Sequence, residues 1–230
     1  LVAGPEWKGA APAGMRVFRS NAQFAMALFR TQLFNPADIE NVLKFQTGYA
    51  IKPLSAFLGQ TPPPALPMPP FPNIGQDFVK PEFFDYLAFA LQFAPAGPEE
   101  VAIRAQLASI GVVAGKPFVF DALPKDTQAA LLRGLQKGAG MVDASVTRPG
   151  LRVNGWKMRS PFGNREFFNG DWLMRAAGAK AGIYGNDAEE AVYPMTKTMA
   201  DGSPLDGSKH KYRMTIPAGQ YPPAKAFWSV

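Results

Sequence analysis

The sequence contains no cysteine and only one histidine. A chain without cysteine forms no disulfide and offers no thiolate nucleophile. A zinc or copper site needs several histidine or cysteine ligands, which the single His210 does not supply. A catalytic triad also needs a nucleophile and an orienting carboxylate beside the histidine, and no such pattern surrounds His210. We therefore expect no metal site, and His210 is interpreted as a structural or exposed residue.

Other motifs of known chemistry are also missing. No GxGxxG or GxxxxGK[ST] sequence occurs, so no nucleotide cofactor is indicated. The net charge is +6, but no two Lys or Arg residues are adjacent, and a nucleic-acid reader normally clusters them on one face. No apolar run reaches the 18 residues typical of a membrane span. We expect no cofactor, no nucleic-acid partner and no transmembrane segment.

Charged residues are also few, at 18% of the chain, whereas apolar residues make up 47%. A chain with so few charges hides much of its surface, either in its own core or against partner subunits. A homo-oligomer is therefore expected. The 23 prolines and 22 glycines are numerous, but the 18 phenylalanines argue against disorder.

The middle of the chain, residues 36–148, carries repeated helix-start signals. Proline is tolerated in the first helical turn, and carboxylates that follow it face the positive end of the helix dipole. Four such prolines are Pro36, Pro81, Pro98 and Pro124. Asn35 is a suitable N-cap, and Gly111 is expected to end the third helix. The second helix, in residues 81–94, is apolar nearly all round, so it is predicted to be buried on most sides or to contact another subunit.

Both ends of the chain have β-type patterns. Residues 14–34 predict a strand, a turn and a second apolar run that is compatible with a strand or a helix. Residues 192–199 and 210–216 predict two strands joined by a loop rich in Asp and Gly. Between them and the middle, residues 171–180 predict a short helix. Residues 62–72 hold seven prolines in eleven positions, which is typical of a stiff extended connector.

These patterns predict an α+β fold with a helical middle. Residues 1–35 are assigned to the end of a first β-domain. Residues 36–148 are assigned to the helical middle, including the proline-rich connector at 61–72. Residues 149–230 are assigned to the start of a second β-domain.

Two parts of the sequence resemble known families. The stretches "RAAGAKAGIYGNDAEEAVYP" and "DGSPLDGSKHKYRMTIPAGQYPPAKAFWSV" resemble the N-terminal part of the bacterial family called domain of unknown function 1214. The stretches "LVAGPEWKGAAPAGMRVFRS" and "LFRTQL" resemble the C-terminal part of its companion, domain of unknown function 1254. The stretch "IGVVAGKPF" is similar to a segment between the two.

The resemblance implies a fold and a location. Each end is expected to be a truncated β-sandwich of jelly-roll type, completed by missing N- and C-terminal strands of the same protein. Family members often carry export signals, which implies a periplasmic or secreted protein. The resemblance brings no biochemical activity, so whether the chain is an enzyme stays open.

Two functions are compatible with these observations. The first is an extracytoplasmic protein that binds or processes carbohydrate or another small molecule, because jelly-roll sandwiches often hold sugars. The alternative is a non-enzymatic structural or oligomer-assembly module. Candidate ligand-binding residues combine aromatic rings with polar groups. They are Arg175, Tyr184, Glu190, Tyr193, Asp201 and Trp228. Arg30 and Arg175 lie in apolar contexts, where an arginine serves either a structural ion pair or a ligand.

Overall fold

The computed structural model describes residues 1–73, 80–147, 151–158 and 160–230. The α-helices are α1 (Ile39–Gln46), α2 (Leu54–Phe57), α3 (Phe83–Leu91), α4 (Val101–Ser109), α5 (Lys125–Thr147), α6 (Arg165–Phe168) and α7 (Trp172–Gly182). Turns of 3-10 helix at Pro36–Asp38 and Pro98–Glu100 lead directly into α1 and α4. The strands are β1 (Val2–Ala3), β2 (Phe18–Arg19), β3 (Arg152–Val153) and β4 (Trp156–Lys157). The predicted domain boundary at residue 149 lies outside the described residues.

The helices begin where local chemistry predicts. Pro36 and Pro98 occupy the first positions of their helical turns, and Asn35 caps the former by accepting a hydrogen bond from Ala37 N at 2.9 Å. Pro124 directly precedes α5, and its carbonyl accepts the helical bond from Gln128 N. Proline fits these positions because the first backbone N–H groups of a helix have no partner inside it.

Pro81 and Gly111 complete the pattern of helix starts and stops. Pro81 lies two residues before α3, and its carbonyl accepts a hydrogen bond from Phe84 N. Gly111 follows the C-cap of α4 with a φ of +91°. Glycine adopts this left-handed conformation without a steric penalty, so it ends the helix as predicted. The predicted helix at 171–180 is also present, as α7.

The hydrophobic core lies between α3 and the loop that follows α4. Its buried side chains are Phe84, Ala88, Val112 and Phe118. Two polar contacts hold the loop in place: Phe118 N donates to Asp85 Oδ1 at 2.9 Å, and Gly115 N donates to Ala88 O at 2.8 Å. Side chains of α5 pack on the outside of this core, and α5 itself runs along α7.

α3 is less buried than its all-round apolar sequence predicts. Phe84 and Ala88 are buried, but Leu87 and Leu91 are only half-buried. Phe93, just beyond the helix, packs against Phe89 and against Phe71 from the end of the proline-rich connector. The helix is therefore covered in part by its own chain, because the connector returns across its C-terminal end.

Regular β-structure is sparse in the described residues. β1 pairs in parallel with β2, and β3 pairs antiparallel with β4. The strands predicted at 192–199 and 210–216 are not formed: the former makes only the single bridges Lys157↔Met195 and Thr198↔Pro204. A strand requires a neighbour for its backbone groups, and residues 211–216 have no backbone hydrogen bond to another described segment. The jelly-roll sandwich predicted at each end is thus not observed, although the α+β class is.

The apolar run that ends the 14–34 stretch also lacks regular structure. Gln23 N donates to Phe93 O at 2.7 Å, but from Ala25 to Phe29 no backbone group has a hydrogen-bond partner among the described residues. Neither the strand nor the helix considered for this run is formed. The described helices include none that is long and apolar enough to cross a membrane.

Candidate functional site

A buried carboxylate, that of Glu100, lies where three helices meet. It ends the helical turn Pro98–Glu100 and directly precedes α4. Only 5% of its side chain is exposed. A carboxylate withdrawn from water to this extent requires hydrogen bonds and opposite charges to remain ionised.

Arginines from α4, α6 and α7 supply those partners. Arg104, one turn further along α4, places Nη2 3.0 Å from Glu100 Oε2. Arg175 of α7 donates from Nη1 to Glu100 Oε1 at 2.9 Å, and Arg165 of α6 places Nη2 3.6 Å from the same oxygen. The carboxylate therefore ties together helices that are remote in sequence.

The arginines also satisfy the backbone of the turn that follows α3. Arg104 Nη2 donates to Ala94 O, and Arg165 Nη2 donates to Pro95 O, each at 2.8 Å. Glu99 Oε1 and Arg165 Nε face each other at 3.5 Å, but both atoms are buried without a hydrogen bond. Three guanidinium groups thus surround two carboxylates, and the cluster retains one positive charge.

The same contacts set the protonation of Glu100. Burial raises the pKa of its carboxyl, but the hydrogen bonds from Arg175 and Arg104 and the charges of Arg165 and Arg104 outweigh burial and lower the pKa below its ordinary 4.5. Glu100 is therefore ionised at neutral pH. A general acid needs the opposite shift, so this geometry indicates a structural ionic cluster.

Gly97 leaves room for this cluster. A Cβ atom at Gly97 would lie 2.5 Å from Arg165 Nη1 and 2.6 Å from both carboxylate oxygens of Glu99. The space that any larger residue would need is filled by the ion pair. The φ of Gly97 is −80°, a value that any residue can adopt. Glycine is therefore required here by the lack of space for a side chain and not by its backbone conformation.

The candidate Arg175 belongs to this cluster. Its guanidinium group also lies over the ring of Trp172, 5.8 Å from the ring centroid. The sequence leaves a structural ion pair and ligand binding open for Arg175, and in the structure Arg175 forms an ion pair with Glu100. Glu100, Arg104 and Arg165 are not among the candidate residues that the sequence predicts. The i,i+4 spacing of Glu100 and Arg104 on a helix is the signal that points to the first pair.

The other ligand-binding candidates have separate surroundings. Glu190 forms an ion pair with Arg16. Tyr193 packs edge-on against Phe162, with ring centroids 5.7 Å apart, and its hydroxyl accepts a hydrogen bond from Asn186 N. Tyr184 is exposed just past the end of α7.

Trp228 and Asp201 lie near the C-terminal end. Trp228 stacks on Tyr221 with ring centroids 6.1 Å apart. Asp201 Oδ1 accepts hydrogen bonds from Ser203 N at 2.9 Å and Ser203 Oγ at 2.6 Å. Within the described part of the chain, no hydrogen bond, ion pair or ring contact joins two of the six candidates.

Asp201 lines an open cleft of about 500 Å³ that also contains Asp206, His210 and Tyr212. Hydrogen bonds from Ser203 lower the pKa of Asp201, and a hydrogen bond from Lys209 is the largest cause that lowers the pKa of Asp206. Both carboxylates are therefore ionised at neutral pH. They close Asx turns on the serines two residues later, as the Asp-Gly loop of the sequence predicts.

Two parts of the chain match the models of known protein families. Residues 1–53 match the model of a family described as "Protein of unknown function (DUF1254)", and residues 190–230 match "Protein of unknown function (DUF1214)". Both predicted resemblances are confirmed. No curated protein matches the chain.

A solved structure has a similar fold. The crystal structure of the VPA0106 protein from Vibrio parahaemolyticus aligns with a TM-score of 0.56 and 23% sequence identity. The alignment covers 91% of this chain and 49% of that protein, so the chain spans about half of its length. At this identity the similarity concerns the fold alone.

An ion pair joins the two segments that match these models, residues 1–53 (the DUF1254 segment) and residues 190–230 (the DUF1214 segment). Arg16 of the DUF1254 segment pairs with Glu190, the first residue of the DUF1214 segment. The cleft around Asp201 lies wholly within the DUF1214 segment. The Glu100 cluster lies between the two segments, in helices that neither family model matches.

Proposed function

We propose that the chain is a non-enzymatic structural module whose apolar surface packs against a second copy of itself. The observation that supports this proposal is the accessible surface of 18072 Å² for a chain of 24.9 kDa. A compact monomer of this mass exposes roughly 10,000 Å². A second copy can cover part of the surplus of roughly 8,000 Å², since a large permanent dimer covers up to roughly 2,500 Å² on each partner.

Part of the surplus comes from an apolar segment whose backbone lacks partners among the described residues. Residues 24–29 expose Phe24, Met26, Leu28 and Phe29. Their backbone from Ala25 to Phe29 has no hydrogen-bond partner among the described residues. An apolar segment whose backbone groups lack partners among the described residues is suited to pairing with another chain.

A second copy fits this segment better than an unlike partner does. In a two-fold dimer the same patch faces itself, so it must complement itself. Apolar side chains meet this condition, whereas a patch of one charge repels its own copy. Residues 24–29 contain no charged side chain. The lowered pKa values of Glu100, Asp201 and Asp206 also favour a non-enzymatic function over acid catalysis by these carboxylates.

The molecular mass in solution tests this proposal. Light scattering coupled to size exclusion is expected to give about 50 kDa, twice the mass of 24.9 kDa, with dissociation on dilution. Leu28→Asp should shift the population to monomer, because it places a charge in the apolar patch. Val101→Asp is the matched control, since Val101 is 63% exposed on α4 and Leu28 is 66% exposed.

Two results contradict the proposal. A wild-type monomer that unfolds in one sharp transition would mean that the apolar surface needs no partner. A monomer without cooperative unfolding would mean that an unlike polypeptide, including further residues of a longer protein, supplies the covering surface.

A second candidate function, carbohydrate binding outside the cytoplasm, is favoured by the cleft around Asp201. Ionised carboxylates accept hydrogen bonds from sugar hydroxyls, and the ring of Tyr212 offers an apolar face in a cleft of about 500 Å³. If sugars bind here, Asp201→Asn should weaken binding of a neutral oligosaccharide about tenfold by calorimetry. Glu6→Gln, an exposed change outside the cleft, serves as the control. Equal binding by both variants would exclude this cleft.

A further inference from the structure

We propose that a cleft between residues 30–34 and α1 binds a small organic carboxylate that carries hydroxyl groups, such as a sugar acid. The cleft has a volume of about 400 Å³ and is distinct from the one around Asp201. Small-molecule sites in proteins occupy roughly 300–1,000 Å³, so the volume suits a single sugar-sized ligand. All of its lining residues belong to the DUF1254 segment.

Arg30 provides the recognition group. It lines the cleft, and its guanidinium group makes no hydrogen bond or ion pair with any described residue. In this respect it differs from Arg104, Arg165 and Arg175, whose guanidinium groups lie 2.9–3.6 Å from the carboxylate oxygens of Glu100. A guanidinium group offers two parallel N–H groups that match the two oxygens of a carboxylate.

Side-chain contacts hold the walls of the cleft in position. Thr31 Oγ1 and Tyr49 Oη lie 2.7 Å apart, and the rings of Phe29 and Tyr49 stack with centroids 4.9 Å apart. Phe34 N donates to Asp38 Oδ2 at 3.4 Å. These contacts connect the Arg30 segment to both ends of α1. The cleft is therefore formed before a ligand arrives, which reduces the ordering cost of binding.

The remaining lining suits a hydroxylated ring. The amides of Gln32 and Asn41 offer donors and acceptors for hydroxyl groups, and Phe34 and Phe45 expose apolar faces. Buried Val42 of α1 also lines the cleft. Apolar walls with a few polar groups are the usual composition of a small-molecule site.

Asp38 restricts the charge of the ligand. Its Oδ1 accepts a hydrogen bond from Asn41 Nδ2 at 2.9 Å, and it forms no ion pair with Arg30. The carboxylate therefore leaves Arg30 available, but it repels additional negative charge in the same cleft. Arg30 offsets the single negative charge of a carboxylate, whereas a phosphate dianion would leave a second negative charge facing Asp38. This balance points to a carboxylate.

The test compares glucuronate with glucose, which differ by a carboxylate in place of a hydroxymethyl group. Titration calorimetry or ligand-observed NMR is expected to show glucuronate bound at least about tenfold more tightly than glucose. Arg30→Gln should weaken glucuronate binding by at least about tenfold and leave the weak glucose signal unchanged. Arg30→Lys should retain part of the affinity, because lysine keeps the charge but not the two-pronged geometry. Arg133→Gln, an exposed change on α5, is the control and should bind as the wild type does.

Three outcomes would overturn this inference: no glucuronate binding, equal affinity for glucuronate and glucose, or unchanged binding by Arg30→Gln. The inference does not depend on the proposed dimer. The molecular mass of each sample is measured alongside its affinity for glucuronate. Loss of the dimer is thereby distinguished from loss of glucuronate binding. Glucuronate binding by a monomer would leave the site standing while contradicting the dimer.

Discussion

Glu100→Gln is expected to lower the free energy of unfolding by about 3–5 kcal/mol. The substitution keeps the size of the side chain but removes its negative charge. Arg104, Arg165 and Arg175 would then share the cluster with the carboxylate of Glu99 alone, in a place from which the Glu100 side chain is 95% withdrawn from water. Uncompensated buried charge is among the largest destabilising effects of a single substitution.

Urea denaturation at one fixed protein concentration measures this effect, since the stability of an assembling chain depends on concentration. The matched control is Glu99→Gln, one residue earlier. Its side chain is 27% exposed, and it faces Arg165 without a hydrogen bond. The control should cost about 1 kcal/mol or less. Equal losses in the two variants would show that Glu100 has no special role in stability.

The same substitution should change the response to acid. The pKa of Glu100 is lower in the folded chain than its ordinary 4.5. Its ionic contribution is therefore complete above that ordinary value and is lost as the pH falls through the folded pKa. The difference in stability between wild type and Glu100→Gln should be constant near neutral pH and shrink below about pH 4.5. A difference that grows in acid would contradict the assigned direction.

Phe84→Ala is expected to lower the free energy of unfolding by about 3–5 kcal/mol. Phe84 is buried, and its ring lies 5.3 Å from that of Phe118 and 5.6 Å from that of Phe83. Its removal leaves a cavity beside Ala88 and Val112 in a core that has few other buried side chains. The loss therefore combines lost burial with lost packing contacts.

Phe57→Ala is the control for this prediction. Phe57 is the last residue of α2 and is 59% exposed. Removing it should change the free energy of unfolding by about 0.5 kcal/mol. Thermal or urea unfolding of both variants measures the difference. Similar losses at the two positions would mean that the core around Phe84 does not hold the helical middle together.

Local sequence signals predict α1, α3, α4, α5 and α7, whereas α2 and α6 are not predicted. Asn35 caps the turn before α1, and Gly111 ends α4, because each acts on backbone groups within a few residues. Asp171 likewise caps α7 through its contact with Met174 N. Such signals are local, so they are readable without knowledge of the fold. The family motifs at both ends were recognisable for a similar reason, since they are short runs of residues in a fixed order.

Tertiary contacts determine which segments form strands and which charges form the ionic cluster. Residues 210–216 alternate as a strand does, but the alternation describes side chains, and a strand forms only where another segment accepts its backbone hydrogen bonds. The cluster depends on Glu100 meeting Arg165 and Arg175, which are remote along the chain. No local spacing in the sequence relates Arg165 or Arg175 to Glu100. Only the packing of α4, α6 and α7 brings them together and withdraws the carboxylate from water, which is the condition that makes the contact strong.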